Sequence, residues 1–295
     1  MEQVFLLYRA EKLKYRHSLS GKLWILFPCL TLLMAYGLAA NYGTVDSYNW
    51  WYIGILPGFL TLYCCMSQEK EKKIRNQAVL LTAEDLKKAW DAKTLNAVKY
   101  VAAANVLLVS CSFLLGNIVM PLLQQEQVIY VSAGQNVLAA LVMILASLWQ
   151  IPLCLWMDRK IGMLPTLAVN MALNTSGCLT AVTGLWMLNP WGILPRIMCP
   201  VIGILPNGLT AHPGNTGYIP GITDPASLFI GSFICLALFV ILWAATRVWY
   251  DRKGRKRCEN VCGPFKGRME ETCPYAGFLD SCDSAGFRGS GFSAL

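Results

Sequence analysis

Few residues in this chain combine the chemistry and the spacing that catalysis needs. There are two histidines in 295 residues, His17 and His212. His17 sits in a basic N-terminal segment and His212 in a proline-rich stretch, so neither joins a cluster inside an apolar segment. No His-Glu-x-x-His pattern is present, which excludes the helix-borne zinc site of a metallopeptidase. No G-x-x-x-x-G-K-[ST] loop is present either, so the chain does not bind ATP by that route. Most of the 12 cysteines lie in apolar segments, where a thiol behaves as a small hydrophobe. Cys258, Cys262, Cys273 and Cys282 are separated by three, ten and eight residues. That spacing lacks the paired short loops of structural zinc sites. The expectation is a protein that is not an enzyme and holds no metal or cofactor.

Two groups of residues remain as candidates. Asn170 and Asn174 lie one helical turn apart, with Thr175, Ser176 and Thr180 close by and Gly177 and Ala181 as small neighbours. In a membrane segment this pattern serves helix–helix hydrogen bonding and close approach. A substrate path past Asn170 and Asn174 is the alternative, and the sequence leaves both open. Gln150 beside Pro152 is expected to satisfy backbone freed by that proline. The second group is Thr82, Asp85, Leu86, Lys87, Lys88 and Trp90. Thr82 with Asp85 matches a capping pattern, in which the hydroxyl accepts from an orphan N–H of the first turn. Leu86, Ala89 and Trp90 then fall at i, i+3 and i+4. The spacing predicts a short helix over 82–90 whose apolar face wants a partner, or else rests on the membrane surface.

The elements that position these residues follow from composition. Apolar and aromatic residues make up 55% of the chain and charged residues 14%, with a mean hydropathy of +0.45. Average soluble domains carry roughly 25% charged residues. The uncharged stretches are long, and a helix needs about 20 apolar residues to cross a ~30 Å hydrocarbon layer. Six segments are expected to cross: 23–40, 50–66 (interrupted by Pro57-Gly58), 100–123, 137–157, 161–188 and 228–250. A cleavable leader is not expected, because Arg9, Lys12, Lys14, Arg16 and Lys22 crowd the first 22 residues and the apolar segment that follows is too long.

Charge sets the orientation. With the N-terminus in the cytoplasm, the outer loops 41–49, 124–135 and 189–227 hold one Lys or Arg, Arg196, out of 25. This is the positive-inside pattern, and it accounts for the net charge of +8 without nucleic acid as a partner. The clusters Tyr48, Trp50, Trp51, Tyr52 and Trp186, Trp191 read as anchors at the outer interface, and Trp243, Trp249, Tyr250 as anchors at the inner one. Residues 1–22 read as a basic helix lying on the inner surface, with Leu6, Ala10 and Leu13 on one face and Arg9, Lys12 and Arg16 on another. The outer segment 189–225 is apolar but broken by Pro190, Pro195, Pro200 and Pro206, which points to re-entrant or interfacial helices rather than a seventh span. Residues 251–295 are polar and Gly-rich, and disorder is expected there.

Several strings, in order, carry a resemblance. They are Ser47-Tyr48-Asn49-Trp50-Trp51-Tyr52, Leu56-Pro57-Gly58, Lys70-Glu71-Lys72-Lys73-Ile74-Arg75-Asn76, and Asp85-Leu86-Lys87-Lys88-Ala89-Trp90 with Ala92-Lys93. Together they resemble the permease subunits of lantibiotic-immunity ABC transporters of the MutE/EpiE type, over roughly residues 1–250 and most strongly over 47–94. The resemblance implies an all-α, ABC-2-like integral membrane protein of the bacterial cell membrane. It would have six transmembrane helices, an N-terminal elbow helix over 1–22, a permease domain over 23–250 and outer re-entrant helices. It implies a second related permease subunit, a separate ATPase subunit and a lantibiotic peptide as substrate. It also implies that Thr82, Asp85, Leu86, Lys87, Lys88 and Trp90 form a coupling helix against the ATPase, which explains the missing phosphate loop. An exporter of another antibiotic or a lipid, or a membrane anchor without transport, are the alternatives. The tail over 258–295 matches nothing in that family.

Overall fold

The computed structural model describes residues 7–9, 19–73 and 86–262. Its elements are helices, and no strand occurs among the described residues. In chain order they are α1 (Leu23–Leu38), α2 (Gly43–Trp50), α3 (Leu56–Lys73), α4 (Leu86–Leu114), α5 (Ala133–Ser147), α6 (Gln150–Ile161), α7 (Met163–Ala181), α8 (Pro190–Ile202) and α9 (Ala226–Cys262).

Four stretches are long and apolar enough to cross a membrane: Ala40–Glu69, Leu86–Leu122, Ala133–Ile161 and Ala226–Lys253. The two remaining expected spans fall short in different ways. Helix α1 has 16 residues, about 24 Å at 1.5 Å per residue. Helix α7 has 19 residues but carries Thr166, Asn170, Asn174, Thr175, Ser176 and Thr180, which dilute its apolar character. The interfacial helix expected over 1–22 falls mostly outside the described residues.

Several boundaries differ from the sequence expectation, each for a local reason. The expected outer loop 41–49 is helical instead: a short turn at Ala40–Tyr42 leads into α2, which joins α3 through a π-helical turn at Trp51–Ile55. Pro57 does not interrupt the segment. The wider π turn sits just before it, and such bulges accommodate a missing N–H. The expected cytoplasmic loop 67–96 is much shorter, because α3 runs to Lys73 and α4 starts at Leu86. The helix expected to end at Tyr250 continues to Cys262. Lys, Glu and Arg are good helix formers, so the backbone stays helical after the apolar residues stop.

Proline and glycine punctuate the rest. Ser132 caps α5 in a reciprocal capping box with Gln135. Pro152 has no N–H for the carbonyl of Leu148, and there α5 gives way to α6 through a tight turn in which Ile151 N donates to Leu148 O at 3.1 Å. Gly162, at φ 87°, separates α6 from α7 in a conformation costly for other residues.

The aromatic cluster at 48–52 is not an interfacial anchor. Tyr48, Trp51 and Tyr52 are buried. Their polar tips find partners inside: Trp51 Nε1 donates to Asn105 Oδ1 at 2.9 Å, Tyr52 Oη to Asn49 Oδ1 at 2.7 Å, and Tyr48 Oη to Asn136 Oδ1. Ser47 and Ser112 hydroxyls lie 2.7 Å apart. This belt binds α2 to α4 and α5. Buried Trp and Tyr need such partners, and here Tyr48, Trp51 and Tyr52 each have one.

Candidate functional site

The first candidate group lies where α4 begins. Leu86 and Trp90 do form one apolar face, but its partner is α9 of the same chain. Trp90 is fully buried, its Nε1 donates to Thr246 Oγ1 at 3.2 Å, and its ring centroid lies 4.8 Å from that of Tyr250. One residue on, Asp91 accepts from Trp243 Nε1 at 3.0 Å and from Arg247 Nε at 2.9 Å, and lies 2.8 Å from Arg247 Nη2. This bidentate pairing fixes both distance and orientation. Lys87 reaches Asp251 at 3.8 Å, a looser pair of the kind worth a few tenths of a kcal/mol.

Two more helices join this cluster. Arg159 of α6 places its guanidinium 4.7 Å over the Tyr250 ring and donates through Nε to Gln68 of α3. Gln68 Nε2 in turn donates to the carbonyl of Leu155. The expectation of a separate helix over 82–90 displaying Trp90 to another protein is therefore corrected. The described part is the first turn of a 29-residue helix, and Trp90 is consumed in locking that helix to α9. Lys87 and Lys88 stay half-exposed on the same turn, while Thr82 and Asp85 lie outside the described residues. Asp91, Trp243, Arg247 and Tyr250 were missed as members of a site. Their spacing along α9, with Trp243, Arg247 and Tyr250 at i, i+4 and i+7, was the available signal.

Asn170 and Asn174 are both buried, and each bonds within the chain. Asn170 Nδ2 donates to Thr61 Oγ1 at 2.8 Å and to Gln150 Oε1 at 3.2 Å, while its Oδ1 accepts from Trp191 Nε1 at 2.8 Å. One side chain thus joins α3, α6, α7 and α8. Gln150 Oε1 accepts from Asn170 Nδ2, and Gln150 makes no hydrogen bond to the backbone near Pro152, contrary to expectation. Asn174 Nδ2 donates to the carbonyl of Ile53. In an α-helix that carbonyl would accept from residue 57, which is proline. Asn174 therefore fills an acceptor that Pro57 leaves without its usual donor.

Small residues close the same contact. A Cβ added at Gly177 would lie 2.5 Å from the Trp191 carbonyl carbon and 2.7 Å from Gly192 N, so α7 and α8 touch backbone to backbone there. Asn189 caps α8 by accepting from Trp191 N at 3.2 Å, and Pro190 follows at the first helical position, where a missing N–H costs nothing.

Helix α8 has 13 residues, about 20 Å at 1.5 Å per residue, and is buried over most of its length. Arg196, the lone cation of the expected outer loops, is 6% exposed. Its Nη1 donates to Ala181 O at 3.5 Å and its Nη2 to Gly221 O at 2.9 Å, with the Trp186 ring 5.6 Å away. The guanidinium thus sits at the C-terminal, partly negative end of α7 and ties it to the loop after α8. Burial pulls its pKa below the usual value, with Cys199 and Asp224 opposing that shift.

Between α4 and α5 lies an open groove of about 480 Å³. Val106, Val109, Phe113, Val137, Leu141 and Ile144 form most of its wall, and Ser110 and Asn136 bring polar atoms to it. Neither Asn170 nor Asn174 lines it. Comparison with family models, curated proteins and solved structures finds no match to the chain.

Proposed function

We propose that this chain is the permease subunit of an ABC-type exporter that expels a lantibiotic peptide from the membrane of the cell producing it. Its partners are a separate ATPase and a second, related permease subunit. In this reading α1 and α7 complete six spans, α8 is the outer re-entrant helix, and basic residues place both termini and segment 74–85 in the cytoplasm.

The observation that carries the reading is the mounting of segment 74–85. It connects two helices, α3 and α4, and the first turns of α4 are clamped to α9 by Trp90, Asp91, Arg247 and Tyr250. A push delivered to that segment has a stiff route into the bundle. The chain needs such a route because it carries no phosphate loop of its own. Thr82, Asp85, Lys87 and Lys88 are then the docking face, and Trp90 holds the lever from inside.

The groove between α4 and α5 supports the cargo assignment. It is open and apolar, which fits the hydrophobic side chains of a membrane-seated peptide. The same apolar walls favour a lipid as the second reading.

Producing the chain in lantibiotic-sensitive cells separates these readings. With the partner permease and ATPase present, the inhibitory peptide concentration should rise at least severalfold. With the ATPase omitted, the rise should vanish. Protection by the chain alone would make it an anchor that sequesters peptide. No protection with all three subunits assembled would remove the peptide as cargo.

A further inference from the structure

The groove between α4 and α5 holds one polar group whose needs the chain does not meet. Ser110 lines the groove and is exposed. Val106 and Leu114, four residues before and after it on α4, line the groove too, so the hydroxyl sits in the middle of an apolar wall. It has no hydrogen-bond partner among the described residues. Hydroxyls elsewhere in the bundle are satisfied within their own helix: Thr31, Thr94 and the exposed Thr175 each donate to the carbonyl four residues back. Asn136, the other polar residue of the groove, is already engaged. Its Oδ1 accepts from Tyr48 Oη, and its Nδ2 donates to the carbonyls of Val131 and Ser132 at 3.1 Å and 2.9 Å.

Depth decides what could serve as its partner. Ser110 lies ten residues after Tyr100 and twelve before Leu122, inside the apolar stretch 100–123. At 1.5 Å per residue it is about 15 Å and about 18 Å from those two residues, near the middle of a ~30 Å hydrocarbon layer. The hydrocarbon offers no water to a polar group, so the hydroxyl depends on whatever fills the groove.

Three occupants reach that depth, and they differ in what they offer. A phospholipid presents only its acyl chains there, because its ester carbonyls stay at the edge of the layer. A transmembrane helix spends its main-chain N–H and C=O groups on its own ladder. A peptide segment that is not helical carries free main-chain carbonyls between its side chains. The third matches both the hydroxyl and the apolar walls of Val109, Phe113 and Leu141.

We infer that Ser110 is the specificity-determining residue of this groove: its hydroxyl donates to a main-chain carbonyl of a non-helical, apolar peptide and so selects peptide over hydrocarbon chain. This rests on the reading of the groove as the seat of a peptide cargo. It adds the atom that recognises the cargo, and it explains how a peptide holds the groove against lipid tails present in large excess.

The test uses the full chain, purified in detergent, and two fluorescent probes. One is a dansyl-labelled pentapeptide alternating leucine and proline, whose prolines keep it from coiling into a helix. The other is a dansyl-labelled dodecyl chain. Fluorescence titration should show the wild type binding the peptide more tightly than the dodecyl chain. Ser110→Ala should weaken the peptide about fivefold, the factor for one neutral hydrogen bond, and leave the dodecyl chain unchanged. Leu141→Trp fills the groove and should weaken both probes; Leu141 is 53% exposed, so the larger ring displaces nothing in the core. If Ser110→Ala binds the peptide as the wild type does while Leu141→Trp loses it, the role of Ser110 is overturned and the cargo seat stands. Equal losses of both probes in Ser110→Ala overturn that role too, since a change in groove shape would then be the cause. A wild type that does not bind the peptide overturns the inference together with the cargo reading of the groove.

Discussion

Trp90→Ala should destabilise the protein by about 3–5 kcal/mol, the range for removing a large buried aromatic side chain. The ring is fully buried, packs against Tyr250 and donates to Thr246. Its loss leaves a cavity between α4 and α9 and deprives Arg159 of a rigid Tyr250 to rest on. The purified protein should melt roughly 10 °C lower, and Trp90→Phe, which keeps most of the apolar volume, should recover more than half of the loss. An anchor displayed to the ATPase behaves differently: its alanine variant melts normally and loses only its partner. Normal melting of Trp90→Ala would therefore contradict the clamp.

Gly177→Val should be comparably damaging at the other end of the molecule. The first added carbon would lie 2.5 Å from the Trp191 carbonyl carbon and 2.6 Å from its oxygen. These are backbone atoms of a helix held by Asn170, Asn189 and Arg196, so they do not move aside cheaply. The expected cost is about 3 kcal/mol or more, at the top of the range for overpacking. Trypsin should then cut after Arg196 far faster than in the wild type. Gly184→Ala is the control, since nothing lies within 4 Å of its added carbon. Equal melting and equal cleavage of Gly177→Val and wild type would refute backbone contact between α7 and α8.

These two sites show what the sequence made legible. The helical class and long apolar spans were readable, because hydropathy acts locally; the break expected at Pro195 and Pro200 does not occur, since both lie inside the continuous helix α8. The role of the aromatic run at 48–52 was not: Tyr48, Trp51 and Tyr52 have rings that suit either an interface or a hydrogen-bonded interior, and only the presence of Asn105, Asn136 and Asn49 decides. Asn174 was recognised as helix–helix glue, yet its partner, the carbonyl left by Pro57, lies 121 residues away. Leu86 and Trp90 share an apolar face, but its partner is α9 of the same chain and neither another protein nor the membrane surface. Its partner on α9 was hidden because both helices run past the apolar stretches, where charged residues look like solvated loop. Hydropathy reports the solvent around a segment, whereas Lys, Glu and Arg there continue the helix.

The most direct test of the account exchanges residues 76–85 for a Gly/Ser linker of equal length. That segment lies outside the clamp, so the variant should insert and melt as the wild type does. It should also lose the ATPase on co-purification, together with resistance to the peptide. A variant that keeps full ATPase association and full resistance would contradict the proposal that this segment couples the permease to its motor.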